Sequence, residues 1–389
     1  MIIRKSKLRF LVPTIIYLLV VASNNLTVPG YGRPSILLHM FLIFLAIYLY
    51  FIYSKKPSLF ILPRFLQFVF FILITSSLIN SFMINDYRIL TTYFSFMFIF
   101  LTVSKYASEI GDRESETLNT IIIFKSIVWV NLIIILLSLF LDGLYMYRYQ
   151  GIFDRGNSMG RYAGCSFIFS LVCILFLDKE KFLKIISGIV LVMSAIFLLI
   201  SNSRAPLLAT IVSLLVILVT FSIVKKKKMI ILIGLVASLL LINFILNNFF
   251  VEIIDIYKFK FYRGDGSSGR TELWNSGINF FSFFGSSEYN DISYKADVHN
   301  NYLSQTLKYG IINSICFHII PFYLLIISFK SIIVLRKLDA DLAIILGMAS
   351  FIIIYYVFET ASLVSPFWLM LIFTALSHEK IWNTKKMFK

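Results

Sequence analysis

The chain has 389 residues, of which 59% are hydrophobic and 14% charged, with a mean hydropathy of +0.86. This apolar content exceeds what one globular core of this length can bury, so most side chains must face lipid. Composition therefore excludes a soluble protein and predicts an all-α polytopic membrane protein. The net charge of +16 comes without a basic stripe or an aromatic RNA-binding motif, which argues against a nucleic-acid partner.

Apolar segments near the ~20 residues that cross a bilayer as a helix follow one another along the chain. They cover 9–24, 35–53, 65–84, 88–104, 118–141, 162–178, 183–201, 206–224, 229–250, 309–329, 342–359 and 366–377. We predict a single integral membrane domain over 1–389, with about twelve transmembrane helices in a GT-C-like arrangement. The first run is interpreted as an anchor, because VASNNLTVPGYGRP after it offers no convincing cleavage site for a signal peptide.

The distribution of cations predicts the orientation, since cytoplasmic segments of membrane proteins collect Lys and Arg. With the N-terminus inside, the inner segments hold 23 Lys and Arg against 9 Asp and Glu, whereas the outer segments hold 12 against 11. Both termini are therefore expected to be cytoplasmic. A short outer loop then covers 142–161, and one long outer loop covers 251–308, before the tenth span.

The outer cations are mostly arginine: they are Arg in 8 of 12 cases, against 5 of 23 on the inner side. Arg presents a planar fork that pairs with two phosphate oxygens, whereas Lys is a mobile point charge. Because the outer segments are nearly neutral as a whole, anion binding would depend on particular arginines. The eight are Arg33, Arg88, Arg148, Arg155, Arg161, Arg204, Arg263 and Arg270.

Several outer residues have both a functional and a simple structural interpretation. Arg204, in the short turn SNSRAP, either reaches the lipid headgroups, as arginines at helix ends do, or binds an anion. In FYRGDGSSGRTELW, Arg270 follows a Gly/Ser link and Trp274 is typical of an interfacial helix. His299 is either a polar residue behind Asp297 as a helix N-cap or a proton acceptor for a hydroxyl group.

Other polar residues have simpler explanations. Lys125 can extend to the nearby membrane surface, and His318 is expected to pack near Pro321. Glu359 could join a site, but its place at a helix end is the simpler explanation. The acidic residues at 339–341 are expected to form a solvated turn. The sequence contains no P-loop, dinucleotide fingerprint or Gly-x-Ser-x-Gly elbow, which excludes ATP-driven chemistry, and the three cysteines in apolar runs argue against a disulfide framework.

Four short stretches, in order, resemble the O-antigen polymerase (Wzy-type) and O-antigen ligase superfamily of polytopic bacterial glycosyltransferases. They are YRYQGIFDRGNSMG, NSRAP, GRTELW and HNNYLSQTLKYG. The resemblance covers 145–330, whereas the first four spans match only in hydropathy. It implies an enzyme that uses undecaprenyl-diphosphate-linked glycans at the outer face of the bacterial cytoplasmic (inner) membrane, for lipopolysaccharide or capsule.

The resemblance also implies roles for individual residues. Arg204 and Arg270 match arginines that grip the donor diphosphate, His299 matches a histidine that activates or positions the acceptor hydroxyl, and Arg148 matches a further arginine. Further candidates for diphosphate or glycan binding are Arg263, Asn300, Tyr302 and Trp274. No metal or other cofactor is expected, because the polyprenyl diphosphate is already an activated leaving group. The loop departs from the family pattern at DRGN, where many relatives have Asn-Pro-Asn.

Two outer segments favour a polymerase, which joins a lipid-linked glycan to another repeat unit. The alternatives are a ligase, which transfers the glycan to lipid A-core or another acceptor, and a transporter or flippase of the same lipid. A transporter predicts ionisable residues within several spans, and the predicted spans are almost free of charge. Membrane lipid, a chain-length regulator (copolymerase) and a flippase are the candidate partners beyond the lipid-linked oligosaccharide.

Overall fold

The computed structural model describes residues 64–84, 116–143, 148–153, 155–177, 180–225, 281–285, 300–336 and 338–359, with the single residues 14 and 275. Over the longer of these ranges the chain is helical, as expected where lipid offers no partner to an unpaired backbone group. The eight helices of the described part are α1 (Arg64–Ile84), α2 (Glu116–Asp142), α3 (Gly156–Phe176), α4 (Lys181–Ile200), α5 (Arg204–Lys225), α6 (Asn301–Tyr309), α7 (Ile311–Leu335) and α8 (Ala340–Phe358).

The helices confirm an all-helical polytopic membrane protein. Within the described residues, every helix except α6 is long and apolar enough to cross a membrane, which makes seven candidate spans. They coincide with the predicted spans at 65–84, 118–141, 162–178, 183–201, 206–224, 309–329 and 342–359. The other predicted spans, at 9–24, 35–53, 88–104, 229–250 and 366–377, lie outside the described residues.

Two helix boundaries differ from the predictions. Helix α3 begins at Gly156, so residues 156–161 of the predicted outer loop are helical; its polar residues Asn157 and Arg161 are accommodated because they face α8. Helix α7 continues to Leu335, beyond the predicted end at 329. Lys330, which suggested that end, is exposed on the helix surface and does not interrupt it.

Helix α8 lies at the centre of the described helices. Every residue from Ala340 to Ile352 is buried, and α8 packs against α3, α5, α6 and α7. Helix α3 packs in turn against α4 and α5. By contrast, α1 exposes large apolar side chains, such as Phe71 and Phe82, as expected for a helix that faces lipid.

Helix α3 approaches the start of α5 closely through three glycines spaced four residues apart. A Cβ atom on Gly156 would lie 2.9 Å from the carbonyl oxygen of Ser201, and one on Gly160 would lie 2.7 Å from Ser201 Oγ. A Cβ atom on Gly164 would lie 2.5 Å from Thr210 Oγ1. Small residues at this spacing let transmembrane helices approach backbone to backbone, so α3 holds the turn between α4 and α5.

Polar side chains join α1 to α7 and to the segment 281–285. Ser76 and Ser77 donate to Asn313 Oδ1 over 2.6 and 3.1 Å. One turn further on, Asn80 Nδ2 donates to the carbonyl oxygens of Phe284 and Lys308. The side chain of Asn80 is fully buried, so it ties the segment 281–285 to the end of α6.

The ends of the helices that lie opposite Asn80 carry an ion pair and a helix cap. Lys125 Nζ lies 2.9 Å from Glu180 Oε2. Lys125 thus pairs with the residue before α4, whereas the sequence predicted only that it would extend to the membrane surface. Asp339 accepts from the backbone N–H of Leu342 and caps α8, and Asp341 is buried in the first turn of α8. The solvated turn predicted at 339–341 is therefore wrong, because these residues begin a helix. The three cysteines are buried and form no disulfide.

Candidate functional site

Several polar segments meet at one end of the described helices. Here α1, α2, α4 and α8 end, while α3, α5 and α7 begin; we name it the site end. It consists of the segment 148–153, the turn 201–203, the first turns of α3 and α5, the last turn of α8, and α6. All four candidate residues that the structure describes lie here.

Arg204 is the first residue of α5 and is partly buried. The turn before it is tight: Asn202 has a φ of 53°, a left-handed conformation that Asn tolerates better than most residues. Ser201, Asn202 and Ser203 are all buried. The turn is therefore fixed against α3, and Arg204 follows it at a helix N-terminus, where the helix dipole favours an anion.

The segment 148–153 packs onto the same turn. The Tyr149 N–H donates to the carbonyl of Ile200 over 3.0 Å, and the Tyr149 hydroxyl donates to the carbonyl of Ser138 over 2.9 Å. With Tyr149 buried as this anchor, the preceding residue, Arg148, is exposed and has a left-handed φ of 50°. A non-glycine residue in this conformation costs on the order of 1–3 kcal/mol, so the fold holds Arg148 in an unfavourable backbone conformation beside the turn.

Helices α3 and α8 make two polar contacts one turn apart at the site end. Asn157 Nδ2 donates to Glu359 Oε1 over 3.1 Å. One turn along α3, the guanidinium carbon of Arg161 lies 5.8 Å from the ring centroid of Tyr355, which is one turn before Glu359 on α8. Arg161 is only 6% exposed and Glu359 only 7%, so a cation and a carboxylate are buried at this end of the α3–α8 interface.

The start of α6 is fixed by its own side chains and by α8. Asn300 Oδ1 accepts from the Leu303 N–H over 3.0 Å and caps the helix, a role for which the sequence had suggested Asp297. The Tyr302 hydroxyl donates to the carbonyl of Ile353 over 3.1 Å. Burial raises the pKa of Tyr302 to about 12, so this hydroxyl stays protonated and remains a donor at physiological pH.

The structure thus places four of the eight candidate residues. Arg204 and Arg148 lie beside the same turn, and Asn300 and Tyr302 lie in the first turn of α6. Both α5 and α6 pack against α8. Asn300 and Tyr302 already make contacts within the protein, whereas Arg148 is exposed. His299, Arg270, Arg263 and Trp274 lie outside the described residues.

From the sequence, Asn157 belonged to a loop whose contact with the donor was left open, Glu359 was either a site residue or a helix-end residue, and His318 was a packing residue. One signal was available: Asn157 and Arg161 are four residues apart, and so are Tyr355 and Glu359, which places each pair on one helix face. The pattern was obscured because Asn157 and Arg161 were assigned to a loop. Glycines at 156, 160 and 164 indicated instead that this stretch begins a closely packed helix.

One part of the chain matches a known protein family. Residues 189–318 match the family model described as O-Antigen ligase. This range is similar to an O-antigen ligase domain. The resemblance stated from the sequence is therefore confirmed for this part of the chain. A sequence comparison with curated proteins gave no match.

The matched domain begins within α4 and ends at His318 in α7. It contains Arg204, the start of α6 and the four candidate residues outside the described part. Arg148 and the two central helices, α3 and α8, lie outside the matched range. The site end therefore combines residues from the matched domain with residues from both sides of it.

Proposed function

We propose that this protein polymerises undecaprenyl-diphosphate-linked repeat units into O-antigen or capsular polysaccharide at the outer face of the bacterial cytoplasmic membrane. The observation that carries the proposal is the position of Arg204, within the O-antigen ligase domain, on a buried turn at a helix N-terminus. Arg148, exposed beside that turn, adds a second guanidinium group. Two arginines near one helix N-terminus suit a diphosphate.

The reaction requires a leaving group that departs and a hydroxyl that attacks. The acceptor hydroxyl oxygen forms a bond to the anomeric carbon of the donor sugar, and the bond from that carbon to the phosphate oxygen breaks. The electron pair goes to the diphosphate, where Arg204 and Arg270 stabilise the developing charge. His299 takes the proton of the hydroxyl. Because the donor sugar already carries the diphosphate as its leaving group, the step needs no nucleotide.

The electrostatics of Arg204 support anion binding more than simple contact with headgroups. A cation in the first turn of a helix opposes the helix dipole, which favours negative charge there. A bound diphosphate reverses this penalty, because the anion interacts favourably with both the guanidinium group and the helix N-terminus. The buried turn before Arg204 fixes this geometry before the substrate arrives, which lowers the reorganisation needed in the transition state.

The orientation of the site is part of the proposal. Positive charge accumulates in the inner segments of the sequence, and the site end is the opposite end of the described helices. The site would then face outward, where a lipid-linked glycan is available after transfer across the membrane. Fusion of a reporter enzyme after Arg336 and after Glu359 tests this, since the reporter should be cytoplasmic at the first position and outside at the second.

Ligation is the second candidate, favoured by the description of the matched family as O-Antigen ligase. In that reaction the same donor site serves an acceptor such as lipid A-core. Deletion of the gene distinguishes the two. A single repeat still attached to core supports a polymerase, whereas loss of attached glycan with polymer retained on the lipid carrier supports a ligase. Unchanged surface glycan and unchanged lipid-linked intermediates would overturn both.

A further inference from the structure

We propose that His318 is a positioning residue that fixes the first turn of α6, and through it the residue that precedes Asn300, His299. The sequence suggested only that His318 packs near Pro321. In the structure His318 is buried on α7, and its ring contacts residues of α6 and α8. The inference rests on the proposed function, since it assigns to His318 the placement of a residue that we propose to be catalytic.

The hydrogen bonds of His318 determine which ring nitrogen carries the proton. Nδ1 lies 2.7 Å from the carbonyl oxygen of Ser314 and 3.2 Å from Ser314 Oγ. A carbonyl oxygen can only accept, so Nδ1 is the protonated nitrogen. The neutral ring then presents the lone pair of Nε2 as an acceptor.

That lone pair faces the first residue of α6. Asn301 Nδ2 lies 3.3 Å from His318 Nε2, and the amide group is a donor at this atom. Donor and acceptor therefore match only while Nδ1 of His318 holds the proton. Asn301 is 1% exposed, so its amide has little access to water as a replacement partner, and loss of the imidazole would leave a buried donor less well satisfied.

Tyr302, the next residue, is held by the same group of side chains. Its ring centroid lies 4.2 Å from that of His318, and its carbonyl accepts from Ser314 Oγ over 3.2 Å. The hydrogen bonds thus run from Asn301 to His318, from His318 to Ser314, and from Ser314 back to Tyr302. Hydrogen bonds that are linked in this way hold their members in one arrangement more strongly than separate pairs do.

Helix α6 depends on such contacts because it is short. It has nine residues, fewer than an isolated helix needs to be stable in water. It is joined to α7 through Gly310, whose φ of 90° is readily available only to glycine. The direction of α6 is therefore set by side-chain contacts at its two ends: Asn80 holds Lys308 at the end, and His318 holds Asn301 at the start.

The test combines substitutions of His318 and Asn301 in the full-length protein in proteoliposomes. The substrate is a synthetic undecaprenyl-diphosphate-linked repeat unit, and kcat and KM for polymer formation are measured. We expect His318→Leu and Asn301→Ala each to lower kcat about tenfold with little change in KM, as for loss of one buried hydrogen bond. The double variant should be no slower than the slower single variant, because both remove the same contact.

Conservative and control variants separate positioning from general damage. His318→Gln keeps an acceptor for Asn301 and should retain kcat within about threefold of the wild type. Cys316→Ala, which changes a buried side chain two residues away on α7, should leave kcat unchanged. If His318→Leu does not fold, Asn301→Ala and His318→Gln decide the question alone.

Three results would overturn the inference. They are a wild-type kcat in both His318→Leu and Asn301→Ala, a double variant whose loss of kcat is the product of the two single losses, or a change in KM with kcat unaltered. His299→Ala separates this failure from failure of the proposed function. If His299→Ala is active, the proposed function is wrong at that residue. If His299→Ala is inactive while the His318 and Asn301 variants are fully active, only the positioning role is wrong.

Discussion

Asn157 on α3 donates a hydrogen bond of 3.1 Å to Glu359, the residue that directly follows α8. One helical turn deeper, Arg161 of α3 lies over the ring of Tyr355 of α8. The two most buried spans of the described chain, α3 and α8, are thus joined by polar contacts at the end where Arg204 lies. A buried arginine in a membrane helix is costly, so we expect this interface to be sensitive to any change that removes a partner.

Arg161 provides the first prediction. Tyr355→Leu removes the aromatic face beneath the guanidinium group and should destabilise the folded protein by about 1–2 kcal/mol. Tyr355→Phe keeps the ring and should cost less. Thermal unfolding in detergent gives the measurement, with Ile354→Leu, a neighbouring substitution that keeps side-chain volume, as the control. Equal stability of the Leu and Phe variants would contradict a role for the ring.

The glycines of α3 provide the second prediction. Gly160→Ala places a methyl group 2.7 Å from Ser201 Oγ and 3.0 Å from Ser203 Cβ, so it should displace the turn before Arg204 and reduce both stability and glycan polymerisation. Gly188→Ala in α4 meets no atom within 4 Å and should stabilise its helix by about 0.5–1 kcal/mol. Thermal unfolding and polymer length on gels measure the two effects. A harmless Gly160→Ala would show that close contact with this turn is unnecessary.

Asn80 provides the third prediction. Asn80→Ala leaves the carbonyls of Phe284 and Lys308 without this donor and should cost about 1–3 kcal/mol. Because these carbonyls tie the segment 281–285 to the end of α6, limited proteolysis should also become faster in the long segment 251–308. Thr75→Ala is the control, since Thr75 is exposed on α1 and its hydroxyl bonds within its own helix. Unchanged proteolysis in Asn80→Ala would show that Asn80 does not hold the segment.

The ion pair between Lys125 and Glu180 provides the fourth prediction, a small effect. Both side chains are partly exposed, at 37% and 31%, so solvent screens their attraction. We expect a double-mutant cycle with Lys125→Met and Glu180→Gln to give a coupling free energy of about 1 kcal/mol or less. Polymerisation should be unaffected, because the pair lies at the end opposite the site. A larger coupling would indicate that the pair holds α2 against the start of α4 more tightly than its exposure implies.

The sequence predicted the spans well where apolar runs end at clear polar boundaries. Helices α4, α5 and α8 begin and end within about two residues of the predicted positions, the usual precision of such boundaries. The start of α3 was missed by six residues, because Asn157 and Arg161 resemble loop residues until their partners on α8 are known. Polar residues inside a span are recognised from their partners in space, and hydropathy contains no such information.

The sequence could indicate only some of the polar residues at the site end, again because hydropathy does not show which residues contact one another in space. Arg204 could be chosen as a candidate because an outward arginine in a short turn opposes the usual charge bias, and its motif lies in the range that matches the family model. His318 could not be distinguished from a packing residue, since its partner Asn301 is seventeen positions away in the chain. The role of Asn300 as a helix cap likewise depends on its hydrogen bond to Leu303, which only the structure shows.

Arg204 is the central residue of the proposed site, and its role is tested directly by the initial rate of polymer formation in proteoliposomes with a synthetic undecaprenyl-diphosphate-linked repeat unit. Arg64 is a matched control, because it is also the first residue of a helix but lies at the opposite end. We predict that Arg204→Ala lowers the rate at least about 100-fold, as for loss of a group that stabilises transition-state charge. Arg204→Lys should be intermediate, and Arg64→Ala should match the wild type. An Arg204→Ala protein that folds normally and polymerises within about threefold of the wild-type rate would contradict the account.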